Sequence, residues 1–102
     1  MSTIDTTSVL GSLLHHQRDR ILKIAACHHA RNVRVFGSVA RGEATARSDI
    51  DFLVDFDQGS SLFDVLHLTE ELEALLGRHV DIVSAGGLKD RDGRILAEAV
   101  DL

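Results

Sequence analysis

The sequence predicts an α/β domain: a small mixed sheet of three or four strands, with helices packed mainly on one side. Three observations predict it. Val33–Phe36, Asp49–Phe56 and His79–Val83 are short runs rich in β-branched and aromatic residues, the composition of strands. Around and between them, leucines and isoleucines recur at the spacing of amphipathic helices. Strands alternating with helices in 102 residues make one layered domain, spanning 1–102, without repeat or linker.

Residues 1–8 are polar and rich in Thr and Ser, and are expected to form a flexible arm ending at a helix cap, Ser8 or Asp5. Leu10, Leu13, Leu14, Ile21, Ile24, Ala25 and His28 then form one stripe, opposite Arg18, Asp19 and Lys23. The pattern predicts a single helix of roughly five turns. His15-His16 and His28-His29 do not suggest a metal site, because adjacent residues of a helix point to different sides. Cys27 is expected to be a buried small hydrophobe.

Val33–Phe36 is the first strand, and Val39-Ala40-Arg41 is expected to begin a short helix that Gly42 ends. A polar loop leads to the second strand, Asp49–Phe56, whose Leu53 and Val54 extend apolar character to both faces and predict a central position. Ser61 is the expected cap of a helix with Leu62, Val65, Leu66, Thr69, Leu72, Leu75 and Leu76 as its stripe and Gly77 as its stop. His79–Val83 is the third strand, Ala85–Gly87 a loop, and 92–100 a last short helix.

Composition narrows the function. The chain is 44% apolar and 26% charged, ordinary for a globular domain. A net charge of −5 argues against direct nucleic-acid binding, which needs clustered Lys and Arg. A lone cysteine excludes an internal disulfide and fits a reducing compartment. No long apolar run and no signal-peptide pattern is present, so the expectation is a cytoplasmic protein with no membrane partner.

The chemistry is concentrated between Phe36 and Phe56. Gly37-Ser38 follows the first strand, and ten residues separate Ser38 from Asp49-Ile50-Asp51. A strand entering a helix through Gly-Ser offers backbone N–H groups to a phosphate. Alternation on a strand sends Asp49 and Asp51 to one face, where two carboxylates repel unless a cation lies between them. Oxygen ligands favour magnesium. Asp81, the acid of the third strand, is the candidate third carboxylate. Gly37 and Gly42 have the spacing of a P-loop, but Glu43-Ala44 stands where Lys and Ser or Thr are required. An EF-hand fails because Val54 occupies the position that needs Gly.

Gly37-Ser38, ten residues and Asp49-x-Asp51 resemble the signature of the polymerase-β-type nucleotidyltransferase superfamily. From about residue 20 to 100 the chain is similar to its minimal nucleotidyltransferases, the antitoxins paired with HEPN toxins. The resemblance implies a polymerase-β-like nucleotidyltransferase fold. It implies Asp49, Asp51 and Asp81 as catalytic and magnesium-binding acids, and Gly37 and Ser38 as contacts for the triphosphate of ATP. It further implies Mg2+-dependent transfer of AMP from ATP to a tyrosine of a cognate HEPN ribonuclease toxin, with which the chain would form a hetero-oligomer. This chain contains no tyrosine, so a tyrosine acceptor must come from another chain. The alternative is a non-catalytic antitoxin that neutralises its toxin by tight binding alone.

Overall fold

The computed structural model describes residues 9–45, 47–87 and 93–102. Its elements are α1 (Val9–His16), α2 (Arg18–Cys27), β1 (Ala30–Phe36), β2 (Ile50–Phe56), α3 (Leu62–Leu76), β3 (Val80–Ser84), a 3-10 turn (Ala85–Gly87), α4 (Gly93–Glu98) and β4 (Val100–Asp101). The sheet order is β3-β2-β1-β4, with β2 in the interior as its apolar run predicts. β1 is antiparallel to both β2 and β4, while β2 and β3 run parallel and α3 supplies the crossover that parallel strands need.

The helices pack mainly on one side of the sheet. α2 rests on β1, α3 on β3, and α2 touches α3. Leu10, Leu14, Ile21 and Ala25 meet Leu68, Leu72 and Leu76 over Val33, Val35, Ile50, Phe52, Val54 and Val80 in one core. Leu53, on the opposite face of β2, is also buried.

β1 carries an irregularity between Arg31 and Arg34. Ala30, Val33 and Val35 are all buried although Ala30 and Val33 are an odd number of residues apart. One extra residue in the strand resolves the mismatch. Asn32 adopts φ 53° there and donates its side-chain amide to Asp55 Oδ2 at 2.8 Å; Asn is one of the few residue types that visits this conformation readily.

Several expectations are corrected. The first helix is two, because Gln17 leaves helical geometry at φ −98°, ψ 7°. The bonds Gln17 N–H to Leu13 O and Ile21 N–H to Gln17 O persist, so the chain bends rather than breaks, and both halves reach the core. The expected caps Ser8 and Asp5, with the rest of the arm, lie outside the described residues. His28 lies beyond the stripe at the end of α2 and pairs with Glu71. Cys27 is exposed.

Residues 37–42 form one closed turn rather than a helix. Gly42 at φ 72° directs its N–H to Val39 O, and Glu43 N–H reaches Ser38 O, the double closure that ends a helix. It arrives before a second turn can form. On α3 the Ser61–Asp64 capping box and the left-handed Gly77 stand where expected. Its buried line is Leu68-Leu72-Leu76, whereas Leu62 and Leu66 are 71% and 49% exposed. Leu66 and Leu68 are about 200° apart on a helix, so the leucines offer two lines and the core accepts one. The last helix ends at Glu98, and Val100 and Asp101 add a fourth strand beside Val35 and Arg34.

Leu68→Ala should cost about 2–5 kcal/mol of stability, as other buried leucines do. Leu62→Ala should change it by less than about 0.5 kcal/mol. Urea unfolding of the two variants checks this assignment of the α3 faces.

Candidate active site

The acids owe their proximity to register. Parallel pairing of β2 with β3 sets Ile50 beside Val80 and Asp51 beside Asp81. Ile50 and Val80 point into the core, so alternation turns both aspartates to the opposite face of the sheet. Asp49 precedes β2 and lies two residues before Asp51, on the same side. The bond from Ile50 N–H to His79 O at 3.0 Å ties the starts of the two strands together.

Gly37 lies against this group. Phe36, the last residue of β1, pairs with Asp51, and the chain then turns through Gly37 at φ 73°. A Cβ on Gly37 would lie 2.3 Å from Asp51 Oδ2, inside any real contact distance. The position therefore requires glycine both for its backbone and for its space. Val39, buried, pins the turn to the core. The carbonyls of Gly37, Ser38 and Val39 accept from Arg41, Glu43 and Gly42, while the amides of Ser38, Val39 and Ala40 donate to no group among the described residues. The result is a small set of N–H donors, with the Ser38 hydroxyl, next to a carboxylate group.

Burial and the charges of Asp81 and Asp49 hold the Asp51 carboxyl above its ordinary proton affinity. Arg41 opposes this, but its guanidinium is taken up by Glu43, at 3.0 Å, and by Glu98. Ser48 closes the polar loop by accepting from Thr45 N–H at 2.8 Å.

The sequence reading singled out neither His79 nor Glu73. His79 Nε2 lies 3.4 Å from Asp81 Oδ1, and its Nδ1 lies 2.9 Å from Glu73 Oε2. Desolvation disfavours the imidazolium, but the charges of Asp49 and Asp81 and the hydrogen bond to Glu73 outweigh it and raise the His79 pKa. The signal was present in the sequence: His79 and Asp81 are two apart on a strand and so share a face.

The donor set fits a divalent cation. Asp49, His79 and Asp81 each present a ligand atom, and these atoms lie within 4.8 Å of one another. Asp51 adjoins them through Asp81. A cation here would offset the charges of Asp81 and Asp49, which add to burial in raising the Asp51 pKa.

Comparison with known proteins identifies the family and the fold. The nucleotidyltransferase domain family matches residues 18–100. A Methanocaldococcus jannaschii protein named "putative protein adenylyltransferase" is 44% identical over 87 residues, covering 81% of this chain and 90% of that protein. A solved structure described as a "putative minimal nucleotidyltransferase" superposes with a TM-score of 0.80 at 49% identity, over 89% of this chain and 94% of that one. A crystal structure of a toxin–antitoxin with AMP-PNP shares the fold, with a TM-score of 0.70 at 20% identity over 81% of this chain and 69% of that one.

Two outcomes test the local physics. Gly37→Ala should destabilise the protein by at least about 1–2 kcal/mol, the cost of a left-handed backbone alone, by chemical denaturation. In metal-free buffer near neutral pH, Asp51→Asn should raise the melting temperature by on the order of a few degrees. That gain should disappear as pH falls through the carboxylate range, because the wild-type Asp51 then takes up its own proton.

Proposed function

The chain belongs to the nucleotidyltransferase domain family, and from that premise we propose that it is an antitoxin that transfers AMP from ATP to a tyrosine of a cognate HEPN ribonuclease toxin. The observation that carries the reading is the juxtaposition of Asp49, Asp51 and Asp81 with the Gly37–Ser38 turn on one face. The name of the Methanocaldococcus jannaschii relative supports protein adenylylation. The shared fold of a toxin–antitoxin crystallised with AMP-PNP supports both the partner and the nucleotide.

In this mechanism Asp49, Asp51 and Asp81 would hold Mg2+, which would supply positive charge to offset the negative charge of the reacting phosphate. The Ser38 hydroxyl and the free amides of its turn bind the terminal phosphates and orient the chain of the triphosphate. Asp81, exposed at the edge of the group, accepts the proton of the incoming tyrosine hydroxyl. The tyrosine oxygen forms a bond to the α-phosphorus, the bond from that phosphorus to the bridging oxygen breaks, and pyrophosphate leaves. Asp51, wedged between Gly37 and Asp81, fixes the distance between the phosphate turn and the acids. Because this chain carries no tyrosine, the modified residue belongs to the partner.

Intact-mass analysis of the co-expressed partner toxin tests the proposal. With ATP and Mg2+ the partner should gain one or more AMP groups. Asp49→Asn should slow that gain on the order of 10²–10³-fold or more while the fold persists. An unmodified toxin that is nonetheless neutralised in a stable complex would replace the transferase by an antitoxin acting through binding alone.

A further inference from the structure

His79 stands in the acid group under unusual restraint. Its Nδ1 faces Glu73 Oε2 at 2.9 Å, and the Val80 backbone N–H donates to the same oxygen at 3.0 Å. Glu73 is therefore held from two directions at the junction of α3 and β3. With Nδ1 toward Glu73, Nε2 is the ring nitrogen turned toward Asp81, 3.4 Å away. A carboxylate that accepts one ring N–H and so aims the other nitrogen at a metal is the usual support of a metal-binding histidine. Nitrogen and carboxylate atoms of Asp49, His79 and Asp81 already lie within 4.8 Å of one another. Divalent ions with bonds of about 2.0–2.2 Å keep neighbouring ligands roughly 3 Å apart. Small rotations of Asp49 and Asp81, both exposed, close the remaining distance.

We infer that His79 is a metal ligand, and that with Asp49 and Asp81 it adds to the Mg2+-binding acids a mixed nitrogen–oxygen site at which a first-row transition cation, Mn2+ or a later one, can take the place of Mg2+. This deepens the nucleotidyltransferase reading and rests on it for the use of the metal. An imidazole nitrogen is a good ligand for transition cations, whereas magnesium keeps to oxygen and gives up its waters reluctantly. Glu73 is the positioning residue: it sets the tautomer and the direction of the ring without touching the cation. Asp51 adjoins the triad through Asp81 and packs on Gly37, on the side of the phosphate turn.

The test uses the full chain with Mn2+ alone as the probe. Electron spin resonance titration gives the dissociation constant, and spin-echo modulation from 14N reports an imidazole bound to manganese. The wild-type complex should show that modulation. His79→Gln should lose it and bind Mn2+ about 10–100-fold more weakly, while Mg2+ affinity, read by competition, changes less than about threefold. Glu73→Gln should weaken Mn2+ binding by about 10-fold and keep the modulation. Absence of nitrogen modulation in the wild type overturns the inference without any variant, so poor folding of a variant leaves the test intact. A folded His79→Gln that binds Mn2+ like the wild type also overturns it. Failure of AMP transfer with the manganese–nitrogen signal present counts against the adenylyltransferase proposal alone.

Discussion

The parallel pairing of β2 with β3 in one register is the constraint on which the site depends. It sets Asp51 beside Asp81, an arrangement two carboxylates would not choose. The opposite face of the same strands compels it. Ile50, Phe52, Val54 and Val80 are almost completely buried, and each contributes about 1.5–3 kcal/mol by leaving water. A slip of one residue in β3 would turn Val80 out and bring Asp81 into the core. The apolar face thus fixes the register, and the register fixes the acids.

Crowding the acids has a sign and a pH window. Asp51 binds its proton more tightly in the folded chain than in the unfolded one. Between the ordinary carboxylate pKa and the raised one, the native state holds more protons, so stability falls as pH rises through that interval. Above it the full cost of the charge is present. A bound cation reverses that cost by binding the native state alone, which links metal affinity to stability. His79 offers a partial substitute, since desolvation of its ring is outweighed by the charges of Asp49 and Asp81 and its hydrogen bond to Glu73, which raise its pKa and favour the imidazolium beside them.

Most of this was legible because strand alternation has a period of two and survives without tertiary knowledge. Asp49 and Asp51 could be placed on one face from spacing alone, Asp81 was the candidate as the acid of the third strand, and Gly37–Ser38 followed from the strand that precedes it. Other features depend on what lies across the core. The two leucine lines of α3 are equivalent until the sheet selects Leu68, Leu72 and Leu76. β4 has two residues, too few for any periodicity, and is defined only by its pairing with β1. The turn at Gly37 ends after one cycle because Gly42 closes it, although Val39-Ala40-Arg41 alone has no such limit. A single histidine alternating with an acid on a strand, His79 with Asp81, is a weaker pattern than the paired histidines at 15–16 and 28–29, yet it carries the geometry.

The openness of the face shapes what the site can do. Asp49, His79 and Asp81 are all exposed, so water has the same access to them as an acceptor hydroxyl. On the proposed reading the Gly37 turn and the acids position the nucleotide, but nothing so exposed chooses tyrosine over water. Discrimination must come from the acceptor's own surface, which on docking excludes water and strengthens each charge interaction beneath it. On the proposed reading the partner is therefore both substrate and lid. On that reading the exposure of the acids leaves the face open for a folded partner to present its tyrosine to the α-phosphorus.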